Sequence, residues 1–423
     1  MAGLALVEYQ DLRPEVGEKR VEWVKVERSP IGTLPQLYWG DSEVWSEANL
    51  WALSLRVDSK RSKKTVVSNM GHLLAYARWL ESEGVDWWHF PDKAAERCLV
   101  RFRGALVKAR DEGDLSPSTV SNRMASVIRF YRWAEVNGLI SKDFPKWNER
   151  IFGIKLTDAF GLQHTLNVAS TDLAIPNRKV AGALQLEDGV MPVSVSDMKE
   201  ILTFAHEFGS EEIALMLRVG FGTGMRIGSI TDLKLGTLDR ATPHPVFGSN
   251  WFQLSIGPAA RPQVDTKFGV SGFVPISTAL LGDLRSYATS TRHLKRQSKA
   301  DKRCKDVLFL TSAGNPYGAE DSRAINVAMS RLRERAKAEG VRSLRDFYFH
   351  RSRATFATLL MKSALKHLPV YDAIRIVREA CLHRDEATTM SYVKFIEKSK
   401  AMAEAADAFS EAFMGITGER KNA

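Results

Sequence analysis

Four stretches in the C-terminal half of the sequence carry side chains that could work on a phosphate. GTGMRIGSITDLKL places Arg226 just past a glycine-containing turn, and PQVDTKFGVSGFVPIS places Lys267 at the tip of what reads as a hairpin. FHRSRATFATLLM carries His350 and Arg353, three apart and so on neighbouring sides of one helical turn. CLHRDEATTMSY carries His383 and, nine residues on, Tyr392.

Together these six groups suit transfer of a phosphodiester to a tyrosine. Such a reaction passes through a five-coordinate phosphorus whose non-bridging oxygens gain negative charge. A guanidinium offers two parallel donors to those oxygens, so a pair of arginines could grip both. One histidine can share the phenol proton, a second can donate to a phosphate oxygen, and a lysine can protonate the departing sugar oxygen. A tyrosine with a free pKa of about 10 is a weak nucleophile and needs cationic neighbours of this kind. Each group also has an ordinary use. Most of the 60 Lys and Arg residues must be surface charges, and Tyr392, close to Val393 and Phe395, would serve equally to anchor a last helix.

The chain that must position these groups has 423 residues, too many for one ordinary core, so two or three domains are expected. A composition of 44% hydrophobic and 26% charged residues is that of a globular protein rather than a disordered one. The formal charge of +10 points to a polyanionic partner, of which nucleic acid is the commonest. Cys98, Cys304 and Cys381 are widely spaced and read as reduced thiols in a cytosolic protein. The N-terminus lacks the pattern of a signal peptide, and no apolar window is long enough for a membrane span.

Residues 1–45 read as an irregular extension in which only VEWVKVE, from Val21, alternates enough for a strand. Residues 46–145 read as helical throughout. After the basic cluster Lys60, Arg61, Lys63 and Lys64, one helix turns Val66, Met70, Leu73, Leu74, Ala77 and Leu80 to a common face and stops at Gly84. A second starts at Ser116 with Pro117 in its first position and stops at Gly138. Its apolar face is Val120, Met124, Val127, Ile128, Tyr131 and Ala134, which leaves Ser121, Asn122, Arg123, Arg129 and Arg132 elsewhere as solvated polar groups or as contacts to phosphates and groove edges. Residues 146–192 read as a connection containing a short strand or helix. Residues 193–423 read as a mainly helical domain, beginning with a helix capped by Ser196. Its small antiparallel sheet is expected from WFQLSI, RPQVDTK and GFVPIS, the last two forming the hairpin.

The four boxes and their order resemble the tyrosine recombinase, or phage integrase, family. TGMRIGSITDLKL resembles the family's first arginine box, HRSRATFATLLM its HxxR box, and LHRDEATTMSY its histidine, paired threonines and tyrosine. TKFGVSGFVPIS resembles its β-hairpin lysine, and LSPSTVSNRMASVIRFYRWAEVNGLI the last helix of its core-binding domain. The resemblance runs from about residue 50 to 395. It implies a mainly α fold: an all-helical SAM-like core-binding domain followed by a mixed α/β catalytic domain.

By position the resemblance implies that Arg226 and Arg353 bind the scissile phosphate, His350 is general acid/base and His383 a further donor. It implies Lys267 as general acid for the 5′ oxygen and Tyr392 as the nucleophile of a 3′-phosphotyrosyl bond, with neither ATP nor a metal required. Lys60, Arg61, Lys63, Lys64, Ser121, Asn122, Arg123 and Arg129 become candidate DNA contacts. The implied partners are double-stranded DNA and a homotetramer on two DNA sites, with room for an accessory directionality factor; the location would be cytoplasmic in a bacterium. The terminal segment with Met402, Ala405, Ala406, Phe409 and Phe413 would pack either on its own core or on a neighbouring subunit. Four positions depart from the usual boxes: Ser229 replaces a carboxylate, Ala354 a histidine, Ser352 a leucine and Leu382 a glycine. The same constellation would serve a type IB topoisomerase or telomere resolvase, and the fold alone a catalytically silent DNA-binding protein.

Overall fold

The computed structural model describes residues 1–17, 20–26, 32–157, 163–177, 186, 189–319 and 322–399. By its contacts the chain divides into two units, Met1–Ala181 and Gly182–Ala423.

The first 45 residues are not irregular. β1 (Gly3–Glu8) pairs antiparallel with β4 (Thr33–Tyr38), and β2 (Leu12–Val16) with β3 (Val21–Lys25), so only β3 was legible in advance. Pro35 within β4 reads against a strand, and β1 and β2 escaped notice because β1 buries only Gly3 and β2 buries nothing. With so few inward residues the two-residue period is faint. Ala2 and Leu37 are nevertheless built into the same core as the helices that follow.

Those helices are α1 (Ser46–Val57), α2 (Lys63–Glu83), α3 (Cys98–Asp111) and α4 (Pro117–Val136). The hydroxyls of Ser62 and Ser116 accept from Thr65 N and Thr119 N, satisfying orphan amides at the starts of α2 and α4. Val66, Met70, Leu73, Ala77 and Leu80 of α2 face Val120, Met124, Val127, Tyr131 and Ala134 of α4 in one buried cluster. Inside it the hydroxyls of Tyr76 and Tyr131 bond to each other at 2.8 Å, so neither is left unmet. Beyond α4 lie β5 (Glu149–Thr157) and β6 (Gln163–Thr171), an antiparallel pair within the stretch expected to hold some local structure.

The second unit opens with α5 (Val195–Phe208), capped by Ser194 rather than Ser196. The Ser194 hydroxyl accepts from Asp197 N at 3.0 Å, while Ser196 sits in the first turn. There follow α6 (Glu211–Thr223), α7 (Ile227–Thr231), α8 (Leu235–Asp239), β7 (Thr242–Pro243), β8 (Trp251–Ile256) and β9 (Gly272–Ser277). The described residues continue with α9 (Thr278–Ala288), α10 (Thr291–Lys299), α11 (Ala324–Ala338), α12 (His350–Ala364), α13 (Val370–Cys381) and a helix, α14, over 386–399.

The sheet order is β7-β8-β9, antiparallel throughout. The hairpin is therefore β8 with β9, and residues 261–267 are an excursion between them rather than a strand. Pro258 and Pro262 cannot donate to a ladder, and Gly257 turns away at φ +108°, leaving one bridge from Gly257 to Val264. A large core gathers α5, α6, α9, α11 and the sheet, while a smaller one joins α12, α13 and α14 and contains Tyr392. Among the described residues no helix is long and apolar enough to cross a membrane. The apolar positions Met402 to Phe413 lie outside them.

Candidate active site

The first arginine is aimed by a glycine. α6 ends at Gly224, which adopts φ +66°, and the reversed chain starts α7 with Arg226 at its N-cap. A Cβ on Gly224 would also run into the Phe356 ring of α12, so both the backbone angle and the space demand glycine. The carbonyl freed at this turn accepts from Arg353 Nη1 at 2.7 Å. One turn thus places Arg226 and ties down Arg353, which is only 2% exposed on α12.

Arg226, Lys267 and Arg353 line one small cavity together with Met225, Ser229 and Leu382. Its wall is the excursion between β8 and β9. The Asp232 carboxylate bonds Lys234 Nζ at 2.8 Å through one oxygen and Asp265 N at 2.7 Å through the other. The Thr266 hydroxyl donates to Val270 O at 2.7 Å, and Gly269 N to Thr266 O at 3.1 Å. A turn held at both ends in this way carries Lys267, which is exposed.

His350 and Arg353 begin α12 one turn apart, His350 half-buried. α13 ends at Leu382 with φ +50° and ψ +51°, the left-handed cap that the family fills with glycine. A leucine here costs about 1 kcal/mol of backbone strain. Its side chain is pressed against Gly272 of β9, where a Cβ would meet it at 2.5 Å. The next residue, His383, is buried, and its Nδ1 lies 2.8 Å from the Thr389 hydroxyl, which fixes the ring.

Tyr392 stacks on His383 with ring centroids 5.9 Å apart and planes inclined by 14°. It is 0% exposed, packed among Ala354, Ala357, Val377 and Ala380. His350, His383 and Tyr392 are not walls of the arginine cavity; His383 joins it through Leu382 and α12 through Arg353. The glycine turn before Arg226 was legible in the sequence; Asp232, Phe268 and Arg384 were not. Asp232 acts through a bond from Asp265 N, for which residue type alone gives no signal.

In the first unit Lys60, Arg61 and Lys64 are exposed, but Lys63 is 6% exposed, turned inward three residues before Val66 on the buried face of α2. Lys63 therefore does not belong to an exposed basic face. Asn122 is exposed, with Ser121 and Arg123 half-buried. Arg129 is held by Ala125 O and the Ser126 hydroxyl, both at 3.1 Å, and Ser126 in turn by Asn69 of α2. Arg132 is instead engaged by Glu149 at 2.8 Å. Between the two helices, burial and then the charges of Arg123 and Arg129 hold His72 below the usual imidazole range. Burial followed by Arg61 lowers Arg129. Arg123 and Arg129 thus flank His72, so a proton on the ring adds a third positive charge to the pair.

Two helix-rich units, the second carrying a small antiparallel sheet and a cavity walled by two arginines and a lysine, define the tyrosine recombinase class of fold. A sequence model of the Phage integrase family matches residues 193–398, and one of the phage integrase N-terminal SAM-like domain matches residues 48–138. The chain belongs to the phage integrase family and is a tyrosine recombinase. Among solved structures it is similar to the XerH site-specific recombinase bound to palindromic difH substrate in a post-cleavage complex. That match has a TM-score of 0.51 and 16% identity over 86% of this chain and 84% of that one. The Tn1549 transposon integrase matches at 0.49 and 15%, covering 82% of this chain and 94% of that one. A lambda integrase dimer bound to a COC′ core site matches at 0.45 and 13%, with the same coverage of each. No curated protein sequence matches the chain.

Proposed function

We propose that the protein is a site-specific DNA recombinase that cuts and rejoins duplex DNA through a 3′-phosphotyrosyl intermediate. The observation that carries this is the convergence of Arg226, Arg353 and Lys267 on one cavity, joined through Leu382 to the stacked His383–Tyr392 pair. Arg226 and Arg353 hold the two non-bridging oxygens as charge builds on them. The Tyr392 oxygen attacks phosphorus while its proton passes to His350, and His383 donates to a phosphate oxygen. Lys267 gives its proton to the leaving 5′ oxygen. A 5′ hydroxyl from a partner duplex then displaces the tyrosine, so one phosphodiester is exchanged for another and no energy source is consumed. Because Tyr392 is buried, α14 must shift before the phenol reaches DNA. Integration or excision between two sites held by a tetramer in the cytoplasm is the role we assign, with 46–145 and 193–423 as the DNA-clamping domains.

A nicked duplex whose cleaved end diffuses away tests this reading. With DNA flanking the gene as substrate, we expect a covalent complex that survives SDS, forms equally in EDTA and leaves a free 5′ hydroxyl. Linkage through a 5′ phosphate, or cleavage that needs a divalent metal, excludes the reading.

The basic face of the first unit gives a second expected result. Folded His72 lies below its unfolded pKa of about 6.5, so the unfolded chain binds more protons as pH falls and stability declines below that value. Bound phosphates offset Arg123 and Arg129 and favour the imidazolium, so DNA affinity rises over the same pH range. Stability and affinity should therefore move in opposite directions on acidification. His72→Gln should abolish both trends in urea titrations and fluorescence anisotropy. Arg129→Ala should reduce the salt slope of binding by about one counterion; an unchanged slope places the phosphate contacts elsewhere.

A further inference from the structure

One residue beside Lys267 is placed against every local rule. Phe268 is 66% exposed and adopts φ +68° and ψ +13°, in the turn closed by Gly269 N donating to Thr266 O at 3.1 Å. That position of a turn favours glycine or asparagine, since a Cβ is crowded there. Two successive left-handed residues close this turn; the second, at φ +64°, is Gly269, whereas the first is the phenylalanine. Neither burial nor backbone preference maintains it, and such conflicts gather where a surface does work. The ring also has two cations near it. Lys267 Nζ is 5.4 Å from its centroid and Arg384 Cζ, from the residue after His383, is 5.9 Å from it.

We propose that Phe268 is a positioning residue whose ring stacks on the nucleobase next to the scissile phosphate, with Arg384 on a phosphate beside it. A flat exposed π-face with flanking cations is the chemistry that holds an unstacked base and its backbone. The placement follows from that contact. The Lys267 ammonium lies 5.4 Å from the ring centroid, so the ring sits beside the phosphate that Lys267 serves, within reach of the adjoining base. The base concerned must leave its pair when strands exchange, and a stacking platform holds it meanwhile. This inference rests on the recombinase reading of the cavity.

The test uses the full chain and the nicked duplex with 5-iodouracil replacing thymine at positions around the cleavage point. On irradiation we expect a photocrosslink that maps to Phe268 at the base adjoining the scissile phosphate and at no other position. Phe268→Gly suits the turn and leaves the fold intact; it should lower covalent complex formation about tenfold, while Phe268→Trp restores it. Absence of the crosslink, or parental cleavage by Phe268→Gly, overturns the proposal and leaves the ring as a latch between the turn and Arg384. Loss of covalent capture with the crosslink retained would instead sink the reading of the cavity and spare the stacking contact.

Discussion

Tyr392→Phe should bind duplex DNA as tightly as the parent and yield no covalent complex. The substitution removes a single oxygen from a ring that is fully buried and stacked on His383, so packing in the cluster of α12, α13 and α14 is retained. With the ring and its neighbours in place, the stability change should be small, under about 1 kcal/mol. Chemistry loses its nucleophile altogether, and residual strand cleavage should fall by at least ~10⁴-fold, as when a covalent catalyst is deleted elsewhere. Two measurements on one preparation check this: a gel shift for binding, and SDS-resistant complex on the nicked duplex. Persistent covalent product in the variant assigns the attack to another residue. Unchanged thermal unfolding is the necessary control, because a buried tyrosine is also a core residue.

That double identity explains how much the sequence disclosed. The boxes around Arg226, His350, Arg353, His383 and Tyr392 are short and local, so they could be recognised from residue spacing alone. Val120 to Ala134 on α4 fall on the buried side as the helical period requires, with Ser116 as cap. What could not be read depends on distant partners. Whether Lys267 follows a strand hangs on β8 choosing β9, a pairing between residues about twenty apart that two prolines and Gly257 decide. Ser194 and Ser196 are equivalent as letters; only the bond to Asp197 N separates them. Lys63 sits in a basic run, yet one residue of helical rotation buries it. Leu382 is a visible departure from the family's glycine, but its left-handed backbone and its contact with Gly272 are tertiary facts.

Glu212 shows the same gap most sharply, and its removal should be the most destabilising change in the second unit. It is the second of two acids in the first turn of α6, a place where a carboxylate is ordinarily solvated, and the structure buries it to 0% exposure. Arg292 forks onto its two oxygens at 2.6 and 3.0 Å, Arg296 approaches at 3.1 Å, and the Tyr287 hydroxyl donates at 3.0 Å. Burial pushes the carboxyl up, but the Arg292 bonds and the Arg296 charge together hold it below the usual carboxylate range. Its contribution to stability is thus complete above the unfolded value near pH 4.5 and is lost as pH falls through the lower folded value. Glu212→Ala strands a hydroxyl and leaves the nearly buried Arg296 without its carboxylate, at a cost of about 3–5 kcal/mol. Glu212→Gln keeps the shape and loses the charge, for about 2 kcal/mol. Urea unfolding of the two variants beside the parent measures both, and a loss under about 1 kcal/mol for Glu212→Ala would contradict the account. The effect should reach the cavity as well. Glu212 pins the start of α6 to α9 and α10, and the other end of α6 is the Gly224 turn whose carbonyl holds Arg353. Loosening one end lets the helix slide against α12, so Glu212→Gln should slow covalent capture by folded protein while leaving DNA affinity unchanged.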